Sequence, residues 1–477
     1  MLTRLEATGF KNLLGFSADF GPYTCIAGLN AVGKSNIFDV IEFLSALADM
    51  SFIEAAQSLR GDAGQAPADI SSLFSRRADD TYRDMQLAVE CIVDAQVTDD
   101  FGREATAQST FLRYEISLRF LPPEDQQVHS PYGMVQLLRE DLTYIKKGDA
   151  IERAPWLRNR KAFRDSVLGN KRKTSGGFIS TTKTQDGHVA IAVHQEGNQG
   201  RKNTSPAARA PRSVVSTVTT IDQPTILAFR RELQSWRKFA LEPTAMRAPD
   251  GFSAQQTIGP DGAHMPATLY RLARQRGDDV EALVADRVSD LVDVRSVSVD
   301  ADPKRDVLTL RAQLGGTDAD FPAKSLSDGT LRFLALSTML FDADSRGVIC
   351  MEEPENGIHP GKLEGMVRLL RDLAVDISQP AGPDNPLRQV IVNTHSPHMV
   401  ALQEDDELLE AAPVTKREDD VLVRTVRLLA VRGTWRDEAP GDVRFMQSRE
   451  AIAEYLSYPP DAPQHNMLSG LASPSGR

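Results

Sequence analysis

One feature constrains this chain more than any other. Residues 28–35 read GLNAVGKS, and residues 348–360, more than three hundred positions later, read VICMEEPENGIHP. The first stretch fits G-x-x-x-x-G-K-[ST] through Gly28, Gly33, Lys34 and Ser35. Glycines there let backbone N–H groups approach phosphate oxygens with no Cβ in the way. Lys34 is placed to reach β- and γ-phosphates, and the Ser35 hydroxyl to hold Mg²⁺. The surroundings agree. Tyr23 to Ala27 (YTCIA) is a short apolar run after the turn pair Gly21-Pro22, which predicts a buried strand. Ile37, Val40, Ile41, Leu44 and Leu47 then recur at helical spacing. Strand, glycine loop and helix follow in the order that aims a helix N-terminus at an anion.

The second stretch supplies carboxylates. Val348-Ile349-Cys350-Met351 predicts a buried strand ending in Glu352-Glu353-Pro354, and the C-terminal end of such a strand is where an α/β sheet places its ligand site. One acid, Glu352, is assigned to a metal through water, and the next, Glu353, to the attacking water. A helix with Leu363, Met366, Val367, Leu370 and Leu373 on one face follows. Another apolar run, Gln389 to Val392, leads into Asn393-Thr394-His395-Ser396, so His395 ends a strand beside the acidic one. There it is placed to contact a γ-phosphate or to hold the water. Upstream, Lys324 to Thr330 (KSLSDGT) precedes an apolar helix from Leu331 to Leu340. Ser327 is a good N-cap, and a Ser-x-Gly turn at a helix start is another anion site.

In this order, GLNAVGKSN, SLSDGT, VICMEEPENGIHP and VNTHSPH resemble the ATPase heads of the SMC/RecF group within the ABC-type ATPases. More narrowly they resemble bacterial AAA-family ATPases allied to RecF and to the OLD-family ATPase domain. Gly9-Phe10-Lys11-Asn12 matches the N-terminal signal of that group. Motif-bearing segments cover about residues 1–50 and 320–400. The resemblance implies an α/β P-loop NTPase of ABC/SMC-head type, with a nucleotide-binding core split around an insertion. Gly28 to Ser35 is then the Walker A loop, Leu326 to Thr330 the signature, and Glu352-Glu353 the end of the Walker B strand. Glu355 to His359 becomes the D-loop region and His395 the switch histidine. ATP and Mg²⁺ are the implied ligands. Nucleotide contacts are expected from Gly28, Asn30, Gly33, Lys34, Ser35, Asn36, Ser327 and Gly329, metal contacts from Ser35 and Glu352, and catalysis from Glu353 and His395. Two positions depart from the wider ABC pattern. Glu352 stands where an Asp is usual. Asp328 stands where a second Gly is common, which puts a negative charge near the expected γ-phosphate site.

In most SMC proteins the insertion is a long coiled coil. Here no heptad run of sufficient length lies between residues 50 and 320, so the insertion is expected to be compact. The expected division is a first ATPase lobe with Walker A at 1–145 and a basic, partly disordered insertion at 146–222. A helical block follows at 223–295, with Trp236 and Phe239 in its core. A second ATPase lobe takes 296–458 and a disordered tail 459–477. Alternation such as Tyr114-Glu115-Ile116-Ser117-Leu118-Arg119 predicts half-buried antiparallel strands that complete the first lobe. Strands at 296–299 and 307–310 are expected to rejoin the nucleotide-binding core, and Val421 to Val431 to form a late strand.

Charge and composition narrow the function. The net charge of −11 argues against a chain that coats nucleic acid over its whole surface. Yet Lys146 to Arg212 holds fifteen Lys or Arg against five Asp or Glu, a local +10 that leaves about −21 for the rest. Its clusters, Arg158-Asn159-Arg160-Lys161 and Lys171-Arg172-Lys173, are candidates for DNA phosphate contacts. No run of 18 apolar residues predicts a membrane span. Cys25, Cys91 and Cys350 sit apart in apolar runs, as buried thiols of a cytoplasmic protein do. The partners expected are a second copy of the chain paired through ATP, DNA, and an effector protein acting in trans. Relatives of the OLD family carry a nuclease domain in cis, but no Asp-x-Asp pair occurs after His395. A transporter's nucleotide-binding subunit is disfavoured by the roughly 290-residue gap between Walker A and signature.

Overall fold

A computed structural model describes residues 1–59, 69–75, 84–125, 128, 130–169, 176–184, 186–194, 203–276, 279–418, 421–438 and 446–457. The cluster Lys171-Arg172-Lys173 and the expected tail at 459–477 lie outside the described residues.

The first lobe opens with a hairpin, β1 (Leu2–Thr8) and β2 (Phe16–Asp19), followed by β3 (Tyr23–Ala27), α1 (Lys34–Ala46) and α2 (Phe52–Ser58). Ser51 caps α2 in a capping box with Glu54. Next come β4 (Asp84–Ile92), a small hairpin of β5 (Gln96–Thr98) and β6 (Glu104–Thr106), then β7 (Phe111–Leu121) and β8 (Met134–Tyr144). The alternation legible at residues 114–119 is observed in β7: Leu112, Tyr114, Ile116, Leu118 and Phe120 point inward while Arg113, Glu115 and Ser117 are only half-buried. Two short helices, α3 (Ala150–Arg153) and α4 (Lys161–Val167), precede β9 (Ile179–Lys183), β10 (Val189–Val193) and β11 (Asn203–Pro206). The first sheet is antiparallel, in the order β11-β10-β9-β8-β7-β4-β1-β2. Strands of the basic segment thus continue the first lobe's sheet, joined through the Leu142–Ile179 pairing.

The next segment holds α5 (Pro224–Gln234), β12 (Arg237–Phe239), α6 (Pro243–Met246), α7 (Met265–Arg276) and α8 (Asp279–Ser289). Among described residues no helix between 50 and 320 exceeds the 12 residues of α7, so the insertion is compact. Trp236 and Phe239 are core residues, as expected, but they enter two different clusters. β13 (Val294–Asp302), β14 (Val307–Leu314) and β15 (Asp320–Pro322) form a three-stranded sheet of their own. The strands at 296–299 and 307–310 rejoin the nucleotide-binding core, as expected, but through packing and not through hydrogen bonds to the central sheet. Val297, Leu310 and Ala312 are buried against the helices of the second lobe rather than laddered into the central sheet.

After these come α9 (Asp328–Phe341), β16 (Gly347–Glu352), α10 (Leu363–Leu373), β17 (Arg388–Thr394), α11 (Pro397–Ala401), β18 (Leu408–Glu418), β19 (Val421–Val431), β20 (Met446–Gln447) and α12 (Arg449–Ser457). The central sheet runs β12-β16-β17-β3-β18-β19-β20, parallel from β12 through to β18. β3, β16 and β17 are buried on both faces, which is why they read as continuous apolar runs.

Alternate residues of these strands feed two cores. Ile26, Val348, Cys350 and Ile391 join the cluster that holds α1 and the first lobe's sheet. Cys25, Ala27, Ile349, Met351, Val390 and Val392 join the cluster that holds α9 and α10. Covered by both sheets, α1 buries Ile37, Phe38, Val40, Ile41, Phe43 and Leu44, more than one stripe of its surface.

Candidate nucleotide-binding site

The histidine strand β17 lies between the glycine-loop strand β3 and the acidic strand β16, all three parallel. Their C-terminal ends therefore deliver Gly28, His395 and Glu352-Glu353 to one edge of the sheet. Gly28 N–H donates to Thr394 O at 3.1 Å, tying the loop directly to the histidine strand. Gly33 has φ 113°, and a Cβ there would lie 2.3 Å from Asn12 Nδ2, so both conformation and space demand glycine. Asn12 braces the loop, donating to Val32 O at 3.2 Å and accepting from Asn36 Nδ2 at 2.8 Å. Asn36, expected among the nucleotide contacts, thus spends its amide on the loop's support. Asn30 and Ser35 are exposed, Ser35 in the first turn of α1.

Lys34 Nζ donates to Gly28 O at 2.6 Å and to Leu29 O at 2.8 Å. Burial pulls its ammonium below the ordinary lysine value, against the opposing charges of Glu353, Glu355 and Glu352.

Glu353 leaves β16 with φ 45°, a left-handed turn that is unusual for a side chain of its size. The turn is held because Glu353 N–H donates to both Asn393 O and Asn393 Oδ1 at 3.1 Å. Its carboxylate accepts from Asn356 Nδ2 at 2.8 Å and meets His395 Nδ1 at 2.7 Å. Burial raises this carboxyl, but the hydrogen bonds from Asn356 and His395, with the charges of His395 and Lys34, outweigh it. The net effect holds Glu353 below the usual carboxylate range. Glu355 is the opposite case. Burial pushes it up, and its main hydrogen-bond donor is the Thr394 hydroxyl. That hydroxyl accepts in turn from Ser396 N at 2.9 Å, so Glu355 also steadies the turn carrying His395.

Glu352 faces Lys238 of β12, whose Nζ lies 3.3 Å from Oε1. Oε1 is buried and accepts no hydrogen bond among the described residues. An orphaned carboxylate oxygen at the end of β16 and an exposed Ser35 hydroxyl opening α1 are the donor types that suit Mg²⁺ held partly through water. No group of three metal-ligating side chains exists among the described residues, and Mg²⁺ sites of this type complete their shell with water and substrate phosphates.

The signature forms as its sequence dictates. Ser327 caps α9, accepting from Thr330 N at 3.2 Å, and it is exposed together with Asp328. Gly329 lies against the D-loop segment, where an added Cβ would come 3.3 Å from Ile358 Cδ1. Arg247, just past α6, donates from Nη2 to Leu326 O at 3.0 Å and to Asp328 Oδ1 at 2.5 Å. The acid that departs from the ABC pattern is therefore paired with a cation. No hydrogen bond or ion pair among the described residues joins Ser327 or Gly329 to residues 28–36, and α1 and α9 pack on opposite faces of the sheet.

Sequence reasoning missed Asp39, Lys238 and Arg247, and it quoted Asn12, Asn356 and Asn393 within motifs without giving them a role of their own. Asp39 carried a signal, an acid between the apolar pairs Ile37-Phe38 and Val40-Ile41 in KSNIFDVIEFL. Lys238 and Arg247 carried none, since their partners lie about 114 and 80 residues away in sequence.

A family model described as "AAA domain, putative AbiEii toxin, Type IV TA system" matches residues 194–401, which take in the signature, the acidic strand and His395. No curated protein matches the chain. Among solved structures, an Smc head bound to the C-winged helix domain of ScpA shares 13% identity, covering 90% of this chain and 98% of that one at a TM-score of 0.45. An Smc head with a coiled coil and joint from Pyrococcus yayanosii shares 10%, covering 95% and 99%, at 0.41. The SMC head domain from Thermotoga maritima shares 12%, covering 90% and 99%, at 0.33. With β17 set between the glycine-loop and acidic strands, and the AAA-domain match running through the second lobe, the chain has the α/β architecture of a P-loop NTPase.

Proposed function

We propose that this protein binds and hydrolyses ATP as a two-nucleotide homodimer, a clamp acting on DNA in repair or in defence against foreign DNA. One observation carries the reading: Lys34, Glu353 and His395 converge at one sheet edge, while Ser327 and Gly329 open a helix on the far face. A signature that makes no hydrogen bond or ion pair with its own glycine loop among the described residues is suited to serve a partner's.

The chemistry follows from the residues. Lys34 exchanges the Gly28 and Leu29 carbonyls for phosphate oxygens, a charge-assisted contact. Glu353 is kept ionised and takes the proton of the attacking water, with its carboxylate oriented by Asn356 and His395. Ser35 and Glu352 would hold Mg²⁺, which when bound neutralises phosphate charge. DNA contact is supported by the local +10 of residues 146–212. Part of that charge is already paired: Arg153 with Glu90, Lys147 with Asp165 and Arg158 with Glu438. Arg160 and Lys161 are exposed.

A second reading, a regulatory ATPase that controls an effector nuclease or toxin in trans, is favoured by the toxin–antitoxin wording of the matched family. We place the protein in the cytoplasm; no described helix is long and apolar enough to cross a membrane.

The decisive experiment is ATP-dependent association. Ser327→Arg should leave ATP binding by the monomer intact yet abolish hydrolysis, and mixing it with Lys34→Ala should restore one composite site per dimer. Hydrolysis by a strictly monomeric wild-type protein, independent of its concentration, would sink the dimer. Association stimulated by DNA supports the clamp, and association indifferent to DNA favours the regulatory reading.

A further inference from the structure

Glu352 has a counter-ion that does not come from the ATPase motifs. Lys238 sits in β12, a three-residue edge strand that pairs in parallel with β16 in the register Lys238–Cys350. Cys350 faces the core that holds α1, and a residue opposite it on a neighbouring strand faces the same way. The Lys238 ammonium consequently reaches two acids. It lies 3.1 Å from Asp39 Oδ1, on α1 one turn beyond Ser35, and 3.3 Å from Glu352 Oε1. Asp39 gives its other oxygen to Lys11 of the first hairpin's connection. A chain of alternating charge, Lys11–Asp39–Lys238–Glu352, links that connection, the glycine-loop helix, the intervening segment and the acidic strand.

The two contacts of Lys238 differ. Towards Asp39 it donates a hydrogen bond; towards Glu352 it makes none, and Oε1 stays without a donor among the described residues. The lysine is therefore anchored on Asp39 and neutralises Glu352 through space, leaving the Glu352 lone pairs open to another donor. A compact ammonium on a flexible stem can move fully onto Asp39 when a second cation approaches.

We propose that Lys238 is a positioning residue that acts as the built-in counter-ion of Glu352, competing with the divalent cation that accompanies the nucleotide. The inference rests on the ATP reading above. Before nucleotide arrives, Lys238 holds Glu352 in place next to Glu42, whose charge would otherwise repel it. Once Mg²⁺ is present, two cations share one carboxylate, and the hold on Mg²⁺ is weaker than Glu352 alone would give. The longer side chain at a position where Asp is usual has room for both.

The test measures binding of a non-hydrolysable ATP analogue, AMP-PNP, by calorimetry in EDTA and in saturating Mg²⁺. The ratio of the two Kd values reports how strongly the metal couples to the nucleotide. Lys238→Met should increase this ratio by about fivefold or more. In a Glu352→Gln background the same substitution should change nothing. Should Lys238→Met fail to fold, Asp39→Asn tests the idea from the other side, because a lysine freed from Asp39 moves towards Glu352 and the ratio should fall. An unchanged or lowered ratio in folded Lys238→Met, or a raised one in Asp39→Asn, overturns the inference while leaving the ATP reading intact. Wild-type protein that does not bind AMP-PNP in either buffer overturns both.

Discussion

The two faces of the central sheet treat carboxylates in opposite ways. On the face that holds α1, Asp39 meets Lys11 and Lys238, and Glu352 meets Lys238. Glu353, at the strand ends, meets His395. On the face that holds α9 and α10, Glu355 meets a Thr394 hydroxyl. Glu410 shares that face by its parity with Leu408 on β18, beside Ala27, and burial alone pushes its carboxyl up to about 7. Charge is thus kept around Lys11, Lys238 and His395 and suppressed at Glu355 and Glu410, while Glu42 of α1 is the exception on its face, pushed up by burial. In water both sets of acids would ionise alike, so their surroundings and not their residue type decide which can act as a base.

The sharpest way to break this comparison is to remove one charge from each face. Glu353→Gln keeps the shape and loses the base, so ATP should still bind while hydrolysis falls by about 10²-fold or more. Glu355→Gln replaces an acid already biased towards its neutral form, and should cost less than about tenfold. Equal losses would mean that the two faces do not divide the work. The pH profile adds a signed check. Because Glu353 is held below its ordinary value, it stays ionised as pH falls, and the acid limb of hydrolysis should lie below the usual carboxylate range. His395→Ala removes one of the interactions that hold it there, so whatever activity remains should show an acid limb shifted upward.

A smaller effect is expected at the signature, where the α9 face does carry a charge. Asp328 is exposed and paired with Arg247. Without that arginine its carboxylate would face only Arg332, and in the proposed dimer it would repel the partner's γ-phosphate more strongly. Arg247→Ala should weaken ATP-driven dimerisation by about tenfold. Arg247→Ala with Asp328→Gly, which removes the repelling group too, should recover most of the loss. If the double variant is as poor as the single one, Arg247 supports the loop's shape through Leu326 O instead of neutralising Asp328.

How much of this was legible in the sequence depended on how local its cause was. YTCIA gave β3 its bounds because a buried parallel strand needs a continuous apolar run, and Ser327 gave the start of α9 because a cap acts over three residues. Glu353 and His395 could be paired in advance because both close apolar strands. β12 could not be seen: Arg237-Lys238-Phe239 has one buried side chain and no period, and becomes a strand only because β16, more than a hundred residues on, offers a free edge. The strands β13 and β14 were recognised, but alternation says which side of a strand is buried and not which sheet it joins. Glu352 was assigned to metal from its place alone, while its lysine partner was invisible for the same reason as β12.

The smallest effect tests the uncharged side of the comparison at Glu410. Its side chain is 4% exposed, Oε2 has no partner among the described residues, and burial lifts its carboxyl from 4.5 to about 7. Between these two values the folded protein keeps a proton that the unfolded chain has released, so folding becomes less favourable as pH rises through that window. The cost from this group is small near pH 5, grows towards pH 7 and levels off above it. Gln has the shape of the protonated acid and no charge to bury. Glu410→Gln should therefore raise Tm at pH 8 by about 2 °C and leave it nearly unchanged at pH 5. If the substitution instead lowers Tm at pH 8, Glu410 is ionised and its charge is satisfied, and the α9 face would then hold a charged carboxylate beside the glycine loop, as the α1 face holds Asp39 against its lysines.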